Sequence, residues 1–395
     1  MKLPGRKTYS KRQFVVGAGV LALVAVVVAA TWWLDRSPVQ QTPSNEQSSA
    51  THAQSQSLHF AAMGDMLAHD SVVANAKTDS GYDFTTYFAR VRHMYQQEDV
   101  VFCNPETAAA GEAYGVSGYP TFNAPTEFAR DLNKEGCNLI NLATNHIADK
   151  GQPALDATLD VWQRQRILAV SGANRSVDEQ NTVAYFTKNA LKVAFVAFAD
   201  FSNNQSVTSY GLNTYHNHEL VTSLLGEARK NADVVVVSAH WGTEDSTTVN
   251  DDQRAAAALF ASLGADVVIG TGPHVLQPVE RLARPDGGKT LVWYSLGNFL
   301  SSQLEVNQLT GGVAEFTVTK NGTDVTVSDV MFQPTFMAYD WPVADRQAGR
   351  LSTRTHLALY PLDQAGERLA AFNTTVKDRQ QFVRDTLGDE VKVVN

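Results

Sequence analysis

The stretch Cys137-Asn-Leu-Ile-Asn141-Leu-Ala-Thr-Asn145-His146-Ile-Ala-Asp149-Lys-Gly151-Gln-Pro153 decides the fold. Residues 137–143 form an apolar run that reads as a buried strand. Asn145, His146 and Asp149 then follow within five positions. Pro153 opens a helical pattern, with Leu155, Leu159 and Trp162 at helical spacing. The polar cluster therefore sits on a strand-to-helix turn, at the carboxyl end of a strand, where open α/β sheets place their ligands. Asn145 offers a neutral oxygen, His146 an imidazole and Asp149 a carboxylate, groups able to hold a metal or move a proton. Taken alone the cluster also has a plainer reading, in which Asn145 and Asp149 cap the turn and the next helix.

Working outward, the same pattern recurs. Upstream, residues 58–63 are apolar and end at Gly64-Asp65, and residues 100–103 end at Asn104-Pro105-Glu106. Downstream, four consecutive valines at 234–237 read as a central strand buried on both faces and lead to His240-Trp-Gly-Thr-Glu244. Residues 267–269 lead to Gly270-Thr-Gly-Pro-His274, and residues 291–294 to Ser295-Leu-Gly-Asn298. Further strands are expected at 167–170, 183–186 and 193–198, and helices at 84–95, 125–132, 220–228 and 253–263. Residues 313–318 and 325–332 read as an antiparallel pair about the Asn321-Gly322 turn. Alternating strands and helices predict a mainly parallel α/β architecture with helices outside. About eleven strands are many for one open sheet, which favours a two-sheet sandwich flanked by helices. After residue 333 the pattern loosens around Pro334 and Pro342. A strand at 356–360 and a helix at 364–372 are expected there, followed by a polar tail, and residues 334–395 read as a peripheral extension of a 58–333 domain.

The ends of the chain bound its setting. Lys2, Arg6, Lys7, Lys11 and Arg12 precede residues 14–34, an uncharged apolar run long enough to span a bilayer, with Trp32 and Trp33 near its end. The basic segment 1–13 should stay inside the cell and the rest outside. The rival reading is a cleaved signal peptide, with Val28-Ala-Ala30 as a weak cleavage site. Residues 35–57 are rich in Gln, Ser, Thr and Pro and read as a flexible spacer. The chain is 395 residues long with net charge −9, and the five basic residues before Phe14 leave −14 on the remainder. An ectodomain this acidic argues against nucleic acid or anionic lipid bound over a broad surface. Cys103 and Cys137, the two cysteines, fall in apolar runs. Buried small hydrophobes is the default reading, and a bond between them requires neighbouring strands.

Six strand ends thus carry polar groups, and a parallel sheet gathers them on one edge. Carboxylate, Asn and His ligands together suit Mn, Fe, Zn or Mg in a one- or two-metal site, able to hold a phosphate or carboxylate and acidify a bound water. Each element has a bland alternative: Asp65 as a helix cap, Glu106 as a loop acid, any lone His as structural. The recurrence is what favours a site.

Gly64-Asp65-Met66, Asn104-Pro105-Glu106, Asn141-Leu-Ala-Thr-Asn145-His146-Ile-Ala-Asp149-Lys-Gly151, His240-Trp-Gly-Thr-Glu244, Gly270-Thr-Gly-Pro-His274-Val-Leu-Gln277 and Ser295-Leu-Gly-Asn298-Phe299 together resemble the signature blocks of CapA/PgsA capsule-synthesis proteins over about residues 58–333. That family is similar in fold to calcineurin-like metallophosphatases. The resemblance implies a role in making or exporting an anionic polymer, poly-γ-glutamate or a capsule, beside membrane-bound ligase and transport subunits. It implies Asp65, Glu106 and His274 as ligands of one metal and Glu106, Asn145 and His240 as ligands of a second. It gives His146 a proton-donor role supported by Asp149, and turns Asn104, Glu244 and Asn298 toward substrate. Two departures bear on the metals. The family's Gly-His-His-Pro-His block reads Gly270-Thr271-Gly272-Pro273-His274 here, so the ligand position at 272 is glycine, and Leu67 stands where full metallophosphatases place a histidine. Two-metal hydrolysis is thereby weakened, and His69, His216 and His218 are the histidines that could compensate.

Overall fold

The computed structural model describes residues 56–394, so the membrane span expected at 14–34 and nearly all of the spacer lie outside the described residues. Among the described residues no helix is long and apolar enough to cross a membrane. In chain order the strands are β1 (Gln56–Met66), β2 (Lys77–Thr78), β3 (Gly81–Tyr82), β4 (Val100–Pro105), β5 (Leu139–Asn141), β6 (Ala169–Ser171), β7 (Ala184–Lys188), β8 (Leu191–Ala199), β9 (Val234–His240), β10 (Val267–Thr271), β11 (Val279–Ala283), β12 (Lys289–Trp293), β13 (Asn298–Leu300), β14 (Thr310–Asn321), β15 (Asp324–Asp340), β16 (Thr355–Pro361) and β17 (Lys392–Val393). Two large sheets result. One runs β16-β15-β14-β1-β4-β5-β6, with β13 on β1 and β17 on β15; the other runs β11-β12-β10-β9-β8-β7.

The valine run shows how the layers are built. Val234 and Val236 of β9 join the large core that also contains β1 and β4, while Val235 and Val237 join a second core under the helices His218–Asn231 and Asp251–Ser262. Period-two alternation thus buries opposite faces in different cores, which explains why all four valines are fully buried. Phe102 of β4 meets Phe195 of β8 edge-on at 6.2 Å across the sheets. The expected mixed α/β sheets with flanking helices are present. The helix Asp251–Ser262 opens on a capping box, Asn250 and Gln253 each accepting the other's backbone N–H.

Strand direction positions the site. β1, β4, β5 and β6 are mutually parallel in the first sheet, and β8, β9, β10 and β12 in the second. Gly64 lets β1 approach the turn before β13: a Cβ there would lie 1.8 Å from the Gly297 carbonyl oxygen, which accepts the Asp65 N–H at 2.9 Å.

Several expectations are corrected. Residues 84–95 form two 3₁₀ turns, Thr85–Phe88 and Arg92–Met94, because Phe84 packs on Phe128 while Phe88 stacks toward Phe299, pulling the segment around. β11 and β13 have no counterpart among the expected strands. Residues 334–394 are not peripheral: β15 runs through Pro334 to Asp340, β16 extends the sheet, and Leu359, Leu369, Val383 and Leu387 are buried in the main core. Pro334 falls between the part of β15 that pairs β17 and the part that pairs β16. The expected helix at 364–372 is broken into short turns, and the tail contains a helix, Val376–Leu387, capped by Thr375. Cys103 and Cys137 are disulfide-bonded, and both are buried. They meet because β4 and β5 are parallel neighbours.

Candidate metal centre

Asp65 is the penultimate residue of β1, Glu106 follows β4, Asn145 follows β5, His240 ends β9 and His274 follows β10. One ligand atom from each of Asp65, Glu106 and His240 lies within 4.8 Å of the others, and all three residues are buried. His274 Nδ1 is 3.1 Å from Asp65 Oδ2 and 3.7 Å from Glu106 Oε2. His240 Nε2 is 3.0 Å from Asn145 Oδ1 and 3.4 Å from Glu106 Oε1. All five expected ligands therefore converge, with Glu106 between His274 on its Oε2 side and His240 and Asn145 on its Oε1 side.

The surroundings fix these side chains. The Asn104 amide donates to Asp65 Oδ1 at 2.6 Å, and its own oxygen accepts from Asn141 at 2.6 Å. The Gly272 N–H lies 3.2 Å from both Asp65 oxygens. His240 Nδ1 pairs with Thr271 Oγ1 at 3.0 Å, which turns Nε2 toward Glu106. Asn298 Oδ1 is 3.1 Å from His274 Nδ1, and the Asn298 amide donates to the Gln308 carbonyl at 2.9 Å. Asn104 and Asn298, expected to face substrate, are buried and lie in contact with Asp65 and His274. Glu244 is exposed and lines the cleft mouth. His274 holds φ of +62°, an unusual conformation for a residue with a Cβ, which aims its ring at the two carboxylates.

The charges are strongly coupled. Burial would lift the Glu106 carboxyl, but His274 and His240 outweigh it and hold it at about 2. Burial, then the negative Glu106, push the Asp65 carboxyl up. Burial works against the His274 imidazolium, yet Glu106 and Asp65 carry it to about 10, and His240 is raised for the same reason, chiefly by Glu106.

A divalent cation fits this donor set. Both Glu106 oxygens are buried without a hydrogen-bond partner, which is costly for a carboxylate unless a cation satisfies it. His240 Nε2, Asn145 Oδ1 and Glu106 Oε1 converge as acceptors, an arrangement that a proton on Nε2 or a metal ion reconciles. Two carboxylates, an amide oxygen and imidazoles suit Zn, Mn or Fe. At Gly272, φ is +107° and a Cβ would lie 2.8 Å from the Trp241 carbonyl oxygen. A side chain has no room there, and the backbone N–H binds Asp65 instead.

Beside the centre, His146 Nδ1 is 2.7 Å from Asp149 Oδ2, which also accepts the Phe122 N–H at 2.7 Å. Phe122 packs edge-on to the His146 ring at 4.6 Å, and the Asn203 amide nitrogen lies 3.2 Å from Nδ1. Phe122 and Asn203 come from long loops without periodic pattern, so nothing in the sequence marks them. Asn141, Thr271 and Gly272 lie inside the signature blocks, but their supporting roles depend on contacts that the blocks do not reveal. Of the three compensating histidines, His69 Nδ1 faces the Ser302 N–H at 3.4 Å, His216 pairs with Asp200, and His218 is exposed at a helix start. None belongs to the Asp65 group. A cavity of about 40 Å³ opens over Asn145, His240 and Gly272, rimmed by Asp200, Phe201 and Glu244. Wider grooves lie elsewhere, one of about 470 Å³ beside Trp341, but they carry no comparable ligand set among the described residues.

A family model, bacterial capsule synthesis protein PGA_cap, matches residues 59–303, a range that contains every side chain of the centre. The chain is 30% identical over 209 residues to the PGA biosynthesis protein CapA of Bacillus subtilis (strain 168), covering 52% of this chain and 54% of that protein. It is 25% identical over 332 residues to the capsule biosynthesis protein CapA of Bacillus anthracis, covering 81% of this chain and 76% of that one. The match thus spans about half the length of the first relative. Among solved structures, it is similar to the crystal structure of TT1561 of Thermus thermophilus, with TM-score 0.36 and 9% identity over 69% of this chain and 98% of that one.

Proposed function

The chain belongs to the bacterial capsule synthesis family PGA_cap, and from that premise we propose that it serves the synthesis or export of an anionic polymer such as poly-γ-glutamate, with a divalent cation held in its cleft. The observation that carries this reading is Glu106, whose two buried, unpartnered oxygens face His240 and His274 beside Asp65. In this reading Asp65, Glu106 and His240 hold the ion, with Asn145 and His274 beside them. Asn104, Asn141 and Thr271 fix the ligand orientations, and Glu244 stands at the entrance. A bound cation would supply positive charge to a carboxylate or phosphate oxygen, or acidify a coordinated water. Gly272 in place of a ligand favours one ion over two.

The setting is part of the proposal. Residues 14–34 anchor the chain with the acidic domain outside the cytoplasm, beside membrane-bound ligase or transport subunits. The likeness of the signature blocks and the apolar run support this, and a buried disulfide suits an oxidising compartment. Elemental analysis of the purified protein tests the centre. One Zn, Mn or Fe in this centre is expected, so that His240→Ala carries one ion fewer per chain than wild type. No bound metal after incubation with Zn or Mn would leave a scaffold or binding subunit.

A second reading, a metal-dependent hydrolase of phosphoesters or of the polymer, is favoured by one observation: His146, paired with Asp149 at 2.7 Å, directly follows the ligand Asn145. Asp149 fixes the orientation of the ring, which suits His146 to proton transfer with a leaving group. Metal-dependent turnover abolished by His146→Ala, with metal content unchanged, would establish it.

A further inference from the structure

The geometry points to a second metal site at the rim of the cleft, formed by Asp200, His216 and Asp252, which takes a divalent cation of the zinc or manganese class. The three residues come from three places in the chain: the residue after β8, the loop before the helix His218–Asn231, and the first turn of the helix Asp251–Ser262. Their ligand atoms lie within 4.8 Å of one another, and His216 Nε2 is 2.6 Å from Asp200 Oδ1. Donors around one zinc ion sit about 2.0–2.2 Å from it and so up to about 4 Å apart. An ion here would replace the His216–Asp200 hydrogen bond and draw the third donor to within about 4 Å of the other two. Two carboxylates with one imidazole select zinc or manganese over calcium or magnesium, which prefer all-oxygen sites.

Two features separate this group from an ordinary surface ion pair. The first is charge. Two carboxylates face one imidazole. The segments 200–228 and 231–253 that build this rim contain no Lys or Arg, while Glu244 and Asp245 add further negative charge. The second is positioning from below. Tyr215 is 2% exposed and its hydroxyl donates to Asp252 Oδ2 at 2.5 Å, while its ring lies 4.4 Å from that of His216. Trp241 packs edge-on against Tyr215 at 6.2 Å, and the Asp200 N–H donates to the His240 carbonyl at 2.8 Å. The Asp252 side chain is thereby held from below, the His216 ring lies against Tyr215, and the Asp200 backbone is tied to the strand that carries His240. A donor already held in place loses less entropy on binding an ion. Side chains are nonetheless open to solvent, His216 by 52% and Asp200 by 28%, so a cation reaches them directly. Asp200 also lines the cavity over Asn145 and His240, so an ion here would present its open coordination positions beside the cleft mouth. There it would offset the negative rim that an anionic ligand otherwise meets. That last role rests on the function proposed above; the site itself does not.

Zinc titration of the metal-stripped full chain, by calorimetry and by elemental analysis after desalting, tests the site. Wild type is expected to bind two zinc ions. His216→Ala and Asp252→Asn should each bind one, with near-ultraviolet circular dichroism showing an intact fold. Glu106→Gln should also bind one, and that ion should be lost when His216→Ala is added. Zinc content equal to wild type in both His216→Ala and Asp252→Asn would overturn the rim site. A wild-type protein with one ion, lost in His216→Ala but kept in Glu106→Gln, would uphold the rim site and remove the first centre.

Discussion

Asn104→Leu separates a support of the metal centre from a substrate contact. The substitution keeps side-chain volume but deletes the donor 2.6 Å from Asp65 Oδ1 and the acceptor 2.6 Å from Asn141. Both bonds are fully buried. A hydrogen bond to a charged group contributes about 1.5–3 kcal/mol. The Asn141 amide keeps a second acceptor, the Ala143 carbonyl at 3.2 Å, so the added cost there is small. The metal-free protein should therefore lose about 2–4 kcal/mol of stability in urea unfolding. Removing a residue that orients a metal ligand typically weakens affinity by about 10–100-fold. Chelator competition for zinc should show that loss. The acid limit of binding should also move to higher pH, because burial and Glu106 already raise the Asp65 carboxyl and the variant withdraws a donor to its ionised form. Unchanged zinc affinity and stability, together with loss of polymer binding, would refute this reasoning and make Asn104 a substrate contact.

Three further outcomes are expected. In the metal-free protein His274 should remain doubly protonated at pH 8 by nitrogen NMR, because Glu106 and Asp65 overcome burial and carry it to about 10. Its folded value is raised, so its stabilising contribution is complete below about pH 6.5 and is lost as pH rises through about 10; the urea midpoint of chelated protein should fall over that window, and a flat profile would contradict the coupling. Gly272→His should fail to create a second-metal ligand and should lower the melting temperature, since φ is +107° and the new Cβ would meet the Trp241 backbone; a gain of one zinc per chain would show that the loop can adapt. Replacing Cys103 and Cys137 together by Ala should cost about 3–4 kcal/mol by the chain-entropy account of their 34-residue separation, read as a lower urea midpoint with the metal stoichiometry unchanged.

Much of the centre was legible because its residues end strands. Asp65, Glu106, Asn145, His240 and His274 each follow an apolar run, and parallel pairing brings the ends of such runs to one edge. What failed to read were residues whose role depends on a partner distant in sequence. Asn298 looked like a substrate group until its oxygen met His274. Asp200 and Asp252 belong to no signature block, and only their contacts with His216 and Tyr215 draw attention to them. The C-terminal residues looked peripheral because Pro334 and Pro342 interrupt the pattern, yet Leu359, Val383 and Leu387 are buried in the main core.

The sequence by itself determined the alternation of strands and helices, the two-sheet architecture that follows from it, and the strand ends that carry polar groups; which five of those groups are the donors was implied by the resemblance of the signature blocks. Hydrophobic period and strand ends are local properties, and a linear reading reaches them. Only the tertiary structure decided the distances at which the donors meet, that Gly272 has no room for a side chain, and that Cys103 bonds Cys137. Those facts are distances between elements far apart in the chain, set by how the two sheets and their connecting turns pack.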